Sequence, residues 1–181
     1  MEHSKRDLLL LAGQAITILM QGLMALAAIG IIIALPVVVF FRDRIDIELA
    51  DKFGEAVGAF PLWPVIGVLL LALVMVVMAF FFFDRLRQII GTVGEGDPFV
   101  PANAERLSLM AWLTLGIQLL MVPATGLCLM LARWAENIED GHVTIGAGLD
   151  LEGILMVIVL FILARVFRHG TAMREDLEGT V

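Results

Sequence analysis

One cysteine, three histidines and a 17% share of charged residues leave this 181-residue chain little material for most kinds of chemistry. The lone Cys128 excludes an intrachain disulfide and any metal site built on cysteines, and it leaves the compartment unread. The histidines, His3, His142 and His169, stand at or outside the ends of the apolar runs, with no nucleophile and base at workable spacing. The expectation is therefore no enzyme and no cofactor, haem included. His142 has no second ligand nearby to make a metal site. No basic cluster suited to a phosphate backbone is present either, since the arginines are interspersed with Asp84, Glu95, Asp97, Glu105, Glu175, Asp176 and Glu178, so direct nucleic-acid binding is not expected.

What is most absent is charge inside the apolar runs. Residues 8–41, 61–83 and 107–132 carry none, and a shorter charge-free run covers 153–164. A hydrocarbon core of about 30 Å takes roughly 20 residues of helix. Only a helix satisfies the backbone within one such segment. With 60% hydrophobic residues and a mean hydropathy of +0.97, the chain reads as a single all-α membrane domain in a lipid bilayer. Its expected spans are about 8–41, 61–83, 107–132 and 151–167, with a loop over 84–106 and a tail over 168–181. The fourth is the weakest, at about 26 Å of helix, with Arg165 inside it. The charged start followed by an apolar run imitates a signal peptide, but the run is too long for one and reads as a retained span.

Lys and Arg fix the orientation, because cytoplasmic segments carry their excess. Lys5, Arg6, Arg85, Arg87, Arg106, Arg165, Arg168 and Arg174 fall on one side, against Arg42, Arg44, Lys52 and Arg133 on the other, which puts both termini in the cytoplasm of a four-helix bundle. Phe40, Phe41, Phe60, Trp63 and Trp134 mark the outer boundary. In the first external loop Ile45, Leu49, Phe53 and Val57 recur every fourth residue, which predicts a short amphipathic helix. In the second, His142 to Ile145 read as a short strand. Asp150 and Glu152 open the fourth span, where Arg133 is available as an interfacial partner.

Polar residues inside the spans line up. Gln14, Thr17 and Gln21 share one face of the first span, and Thr114, Gln118 and Thr125 one face of the third. The expected role is hydrogen bonding between these two spans, and the functional alternative is a vestibule for a small solute. On the cytoplasmic side Gly96-Asp97-Pro98 predicts a turn, with Phe99 tucked against the bundle and Pro101 early in the next helix. Past the fourth span Val166, Gly170, Met173 and Leu177 form an apolar stripe that needs a partner, either the chain's own loop or another protein.

These segments also carry a family likeness. Gly96-Asp97-Pro98-Phe99 followed by Asn103-Ala104-Glu105-Arg106-Leu107, and the ending Ala164-Arg165-Val166-Phe167-Arg168-His169-Gly170 with Arg174-Glu175-Asp176, resemble the YoaS-like bacterial inner-membrane family, four-helix proteins often encoded beside a small Cro-type helix-turn-helix regulator. The resemblance implies the membrane component of a regulatory pair in the bacterial inner (cytoplasmic) membrane, with no catalytic residues to carry over. The docking surface expected on this reading is the loop 97–106 with the tail 168–181, through Asp97, Phe99, Arg106, Arg168, Met173, Arg174 and Leu177. The alternative is a small-solute transporter or channel, as a homo-oligomer, since four helices leave little interior for a pore.

Overall fold

The computed structural model describes residues 2–53, 58–136 and 150–178, with the side chains at 2–7, 53, 175, 177 and 178 outside the description. Among these residues five helices follow one another: α1 (Glu2–Phe40), α2 (Arg42–Phe53), α3 (Leu62–Gly94), α4 (Pro101–Ala135) and α5 (Leu151–Glu178). The described residues contain no strand. The strand expected at His142 to Ile145, and Val57 of the amphipathic face, lie outside them. Among the described residues three helices are long and apolar enough to cross a membrane, α1 over Leu8–Phe40, α3 and α4. Pro36 and Pro123 sit inside α1 and α4, as membrane helices tolerate.

The short amphipathic helix is present as α2, with Ile45 and Leu49 on its half-buried side. It follows α1 almost without a break, because the Phe41 and Ile45 amides keep donating to carbonyls four residues back. Asp46 accepts a 2.7 Å hydrogen bond from the Phe60 amide and lies 3.7 Å from Arg42, and Phe60 meets Trp134 edge-on at 5.9 Å. This rim fixes the α2 end of the molecule.

Within the expected segment 84–106 between spans, where Pro101 is expected early in the next helix, only residues 95–100 lie outside the helices. Helix α3 continues through Asp84 and Arg87 to Gly94, and α4 already starts at Pro101. Charge marks where a helix leaves the apolar layer, but it does not break a helix. The breakers are Gly96, whose φ of 84° is a left-handed conformation suited to glycine, and Pro98. Pro101 occupies the first turn of α4 after extended Val100, as its fixed φ favours.

The long helices pack in series: α1 on α3, α3 on α4 and α4 on α5, with no other extensive contact between them. A bundle closed on itself would also seat α5 against α1, so the arrangement is an open row with α4 near its centre. Its core lies toward the end away from α2, where Ile89, Leu107, Met110, Ala111, Leu160 and Ala164 are buried against Phe82, Leu86, Phe161 and Phe167. Alanines at Ala104, Ala111, Ala124, Ala132 and Ala164 let the backbones approach, which matters where lipid offers no hydrophobic drive and close van der Waals contact must hold the helices together.

Helix α5 does not reach the α2 end. Its Gly153 lies against Gln118, and Phe161 meets Trp112 edge-on at 5.4 Å. Gln118 is sixteen residues from Trp134, about 24 Å at the helical rise, so the first turn of α5 begins far below the rim. Asp150 and Glu152 share that depth, and among the described residues the interfacial pair with Arg133 that the sequence makes available is not formed.

Candidate functional site

The residues with polar and aromatic chemistry gather at the tail end, where the 95–100 connection lies on α5. Asn103, fully buried at 0% exposure in the first turn of α4, ties the connection down. Its amide donates to the Thr92 hydroxyl at 2.7 Å and to the Pro98 carbonyl at 2.9 Å, while its oxygen accepts from Arg106 at 2.7 Å. Phe99 then projects over α5, 5.3 Å from the Phe167 ring. A Cβ on Gly170 would come within 2.8 Å of the Phe99 ring, so glycine is what lets the ring settle there. The Thr171 hydroxyl lies 3.1 Å from the Phe99 carbonyl and 2.9 Å from that of Phe167, and Arg174 pairs with Asp97.

Of the seven predicted docking residues, Asp97, Phe99 and Arg174 are thus joined in one clasp between connection and tail. Arg106 faces Asn103. Arg168 lies away from the clasp, in a cleft between α4 and α5, and Met173 is 53% exposed beside Phe99. The Leu177 side chain is outside the described residues. The stripe Val166, Gly170, Met173 therefore finds the chain's own loop at Gly170, while Val166 and Met173 remain open. Together with Phe99, Ile162, Arg165 and His169 they line an apolar groove of about 540 Å³.

The two polar stripes do not meet, which corrects their expected pairing. Helix α3 stands between α1 and α4, a neighbour relation that helical periodicity does not encode. Gln21 faces α3 and lies 3.4 Å from Asp84, which also accepts from Gln88 at 2.7 Å and lies 3.6 Å from Arg87. Gln118 faces α5, 8% exposed, and its Oε1 has no hydrogen-bond partner among the described residues. Thr17 and Thr114 donate back to carbonyls of their own helices, those of Gln14 and Met110. Thr125 and Gln14 are half-buried. Sequence reasoning missed Asp84, Gln88 and Thr171. The four-residue spacing of Asp84 and Gln88 was visible, but only the structure brings Gln21 to them.

A chain whose described residues are all-helical, with three helices able to cross a membrane and a polar clasp at one end of the row, has the build of a multi-pass membrane protein. It belongs to the family described as protein of unknown function DUF2975, which its residues 52–181 match. The match takes in α3, α4, α5 and the whole clasp, and stops short of α1. No curated protein and no solved structure matches the chain.

Proposed function

We propose that the protein is a non-enzymatic, YoaS-like component of the bacterial inner membrane, with four spans and both termini cytoplasmic, that holds a small cytoplasmic protein at its tail end. The partner is a helix-turn-helix regulator, as the family resemblance implies. The observation that carries this reading is the groove beside the clasp, whose floor is Phe99, Ile162, Val166, Gly170 and Met173 and whose rim is Arg165 and His169. An apolar floor held open by a polar clasp suits an amphipathic helix of the partner, with acidic residues toward the basic rim. Past Arg165 and His169 the floor is continued by Gly170 and Met173, and exposed apolar surface beyond the bilayer is otherwise costly.

The test is co-expression with a small Cro-type helix-turn-helix protein of the kind the resemblance implies beside this chain; a neighbourhood without such a gene would remove the regulator from the reading. Membranes of the wild type should retain that protein. Met173→Asp should cut retention at least fivefold while the helical content of the purified chain is unchanged, since Met173 is exposed and its replacement empties no core. Equal retention by wild type and Met173→Asp would remove the groove from the reading.

Orientation has its own measurement. Reporter fusions at Gly96 and after Val181 are expected to report cytoplasm, and fusions after Asp51 or within 141–148 the opposite side, from the Lys and Arg bias. An external Gly96 would invert the topology and leave the groove facing no cytoplasmic partner.

A second reading, a small-solute carrier, is favoured by one observation, the buried and unpartnered Gln118 Oε1. It requires a homo-oligomer, because an open row of helices encloses no lumen by itself.

A further inference from the structure

On the other side of Arg165 from that groove, α4 and α5 enclose a cleft of about 600 Å³ lined by Ser108, Phe161, Ala164, Arg165, Arg168, His169 and Ala172. We propose that this cleft is a binding site for an anionic phospholipid. Its phosphate would sit between Arg165 and Arg168, within reach of His169 and the Ser108 hydroxyl, and an acyl chain would run along Phe161 toward Trp112. The proposal does not depend on a protein partner in the groove.

Three features carry it. First, the cleft is graded along the helix axis in the sense a lipid requires. Phe161 lies toward the apolar layer, Arg165 follows one turn on, and Arg168 and His169 another, all on one side of α5. Second, among the described residues none of the ion pairs within 4 Å, Arg42 with Asp46, Arg87 with Asp84 and Arg174 with Asp97, involves Arg165, Arg168 or His169, and Glu105, the carboxylate of the adjoining pocket, shares it with Arg168 without closing on it. Basic charges gathered between membrane helices without carboxylate partners are the usual seat of an anionic headgroup. Third, the depth agrees. Ser108 lies 26 residues along α4 from Trp134, about 39 Å at the helical rise, and a bilayer with its headgroups is about 40–45 Å thick. With the Trp134 rim at one interface, Ser108 and the guanidinium groups fall in the headgroup layer of the other. Trp112, 60% exposed and in contact with Phe161, stands just inside that layer, where indole rings prefer to lie.

The test uses the full chain with Trp63→Phe and Trp134→Phe, so that Trp112 is the sole fluorophore. It is reconstituted in mixtures of phosphatidylcholine and phosphatidylglycerol in which one or the other carries brominated, quenching chains. Trp112 should be quenched by the phosphatidylglycerol chains with a preference of about thirtyfold, the scale of two basic residues at an anionic surface. Arg165→Gln/Arg168→Gln should reduce that preference to near unity, and Arg165→Lys/Arg168→Lys should keep most of it, which separates charge from a folding defect. Equal quenching by both lipids in the wild type, or an undiminished preference in the glutamine variant, overturns the proposal. So does loss of the preference on adding millimolar inorganic phosphate at constant ionic strength, which would assign the site to a free anion. A photoreactive phenylalanine analogue at Ala172 should crosslink lipid in native membranes, and capture of a soluble protein there instead would give the cleft to a protein and overturn the lipid assignment.

Discussion

Asn103→Ala should destabilise the protein by about 3–5 kcal/mol, as much as truncating a buried core side chain. A neutral hydrogen bond contributes about 1 kcal/mol and one to a charged group about 1.5–3 kcal/mol. Asn103 makes two of the first kind, to Thr92 and Pro98, and one of the second, from Arg106. The Thr92 hydroxyl can still donate to Ile89, but the Pro98 carbonyl loses its donor and the fully buried site is left empty. Asn103→Asp is the instructive comparison. It keeps an acceptor for Arg106 but turns a carboxylate oxygen toward the Pro98 carbonyl, so it should be no better than alanine. Unfolding of the purified chain in mixed micelles, followed by circular dichroism, reads both. A loss below about 1 kcal/mol for Asn103→Ala would mean that the connection is held by Phe99 and the Arg174–Asp97 pair, with Asn103 incidental.

Asn103 also shows how far the sequence could be read. The segment around it stood out as a motif, and the turn at Gly96 to Pro98, Phe99 against the bundle and Pro101 at a helix start were all legible, because glycine, proline and an aromatic beside a turn each act locally. That Asn103 reaches back eleven residues to Thr92 was not legible, since the polar part of α3 looked like loop. The same error hid Asp84 and Gln88. Once α3 is known to be helical to Gly94, their four-residue spacing places both on one face, opposite Gln21. Length and hydropathy were sufficient for the three helices that can cross a membrane. They were insufficient for α5, whose depth depends on the register of its packing against α4 and not on its composition.

That register gives the second large effect. Gly153→Ala should cost about 1–3 kcal/mol, the usual penalty for overfilling a packed site, because a Cβ at this position would overlap the Gln118 amide. The amide cannot simply swing away, since it is 8% exposed and enclosed between α4 and α5. Gln118→Ala removes that obstacle together with an amide oxygen that has no hydrogen-bond partner among the described residues, so its own cost should be small. In the Gln118→Ala background the added methyl then enters space the amide has vacated, and Gly153→Ala should cost little or nothing. The two changes are therefore expected to couple by about 1–3 kcal/mol, with the double variant more stable than the sum of the singles predicts. Unfolding in micelles measures all four members of the cycle. Strict additivity would mean that Gln118 and Gly153 are not in contact, and that α5 sits higher along α4 with Asp150 and Glu152 closer to Arg133. Coupling of the expected size would place the first turn of α5 and its two carboxylates about 24 Å from the Trp134 rim, at a depth where unpaired charge is kept only at a cost.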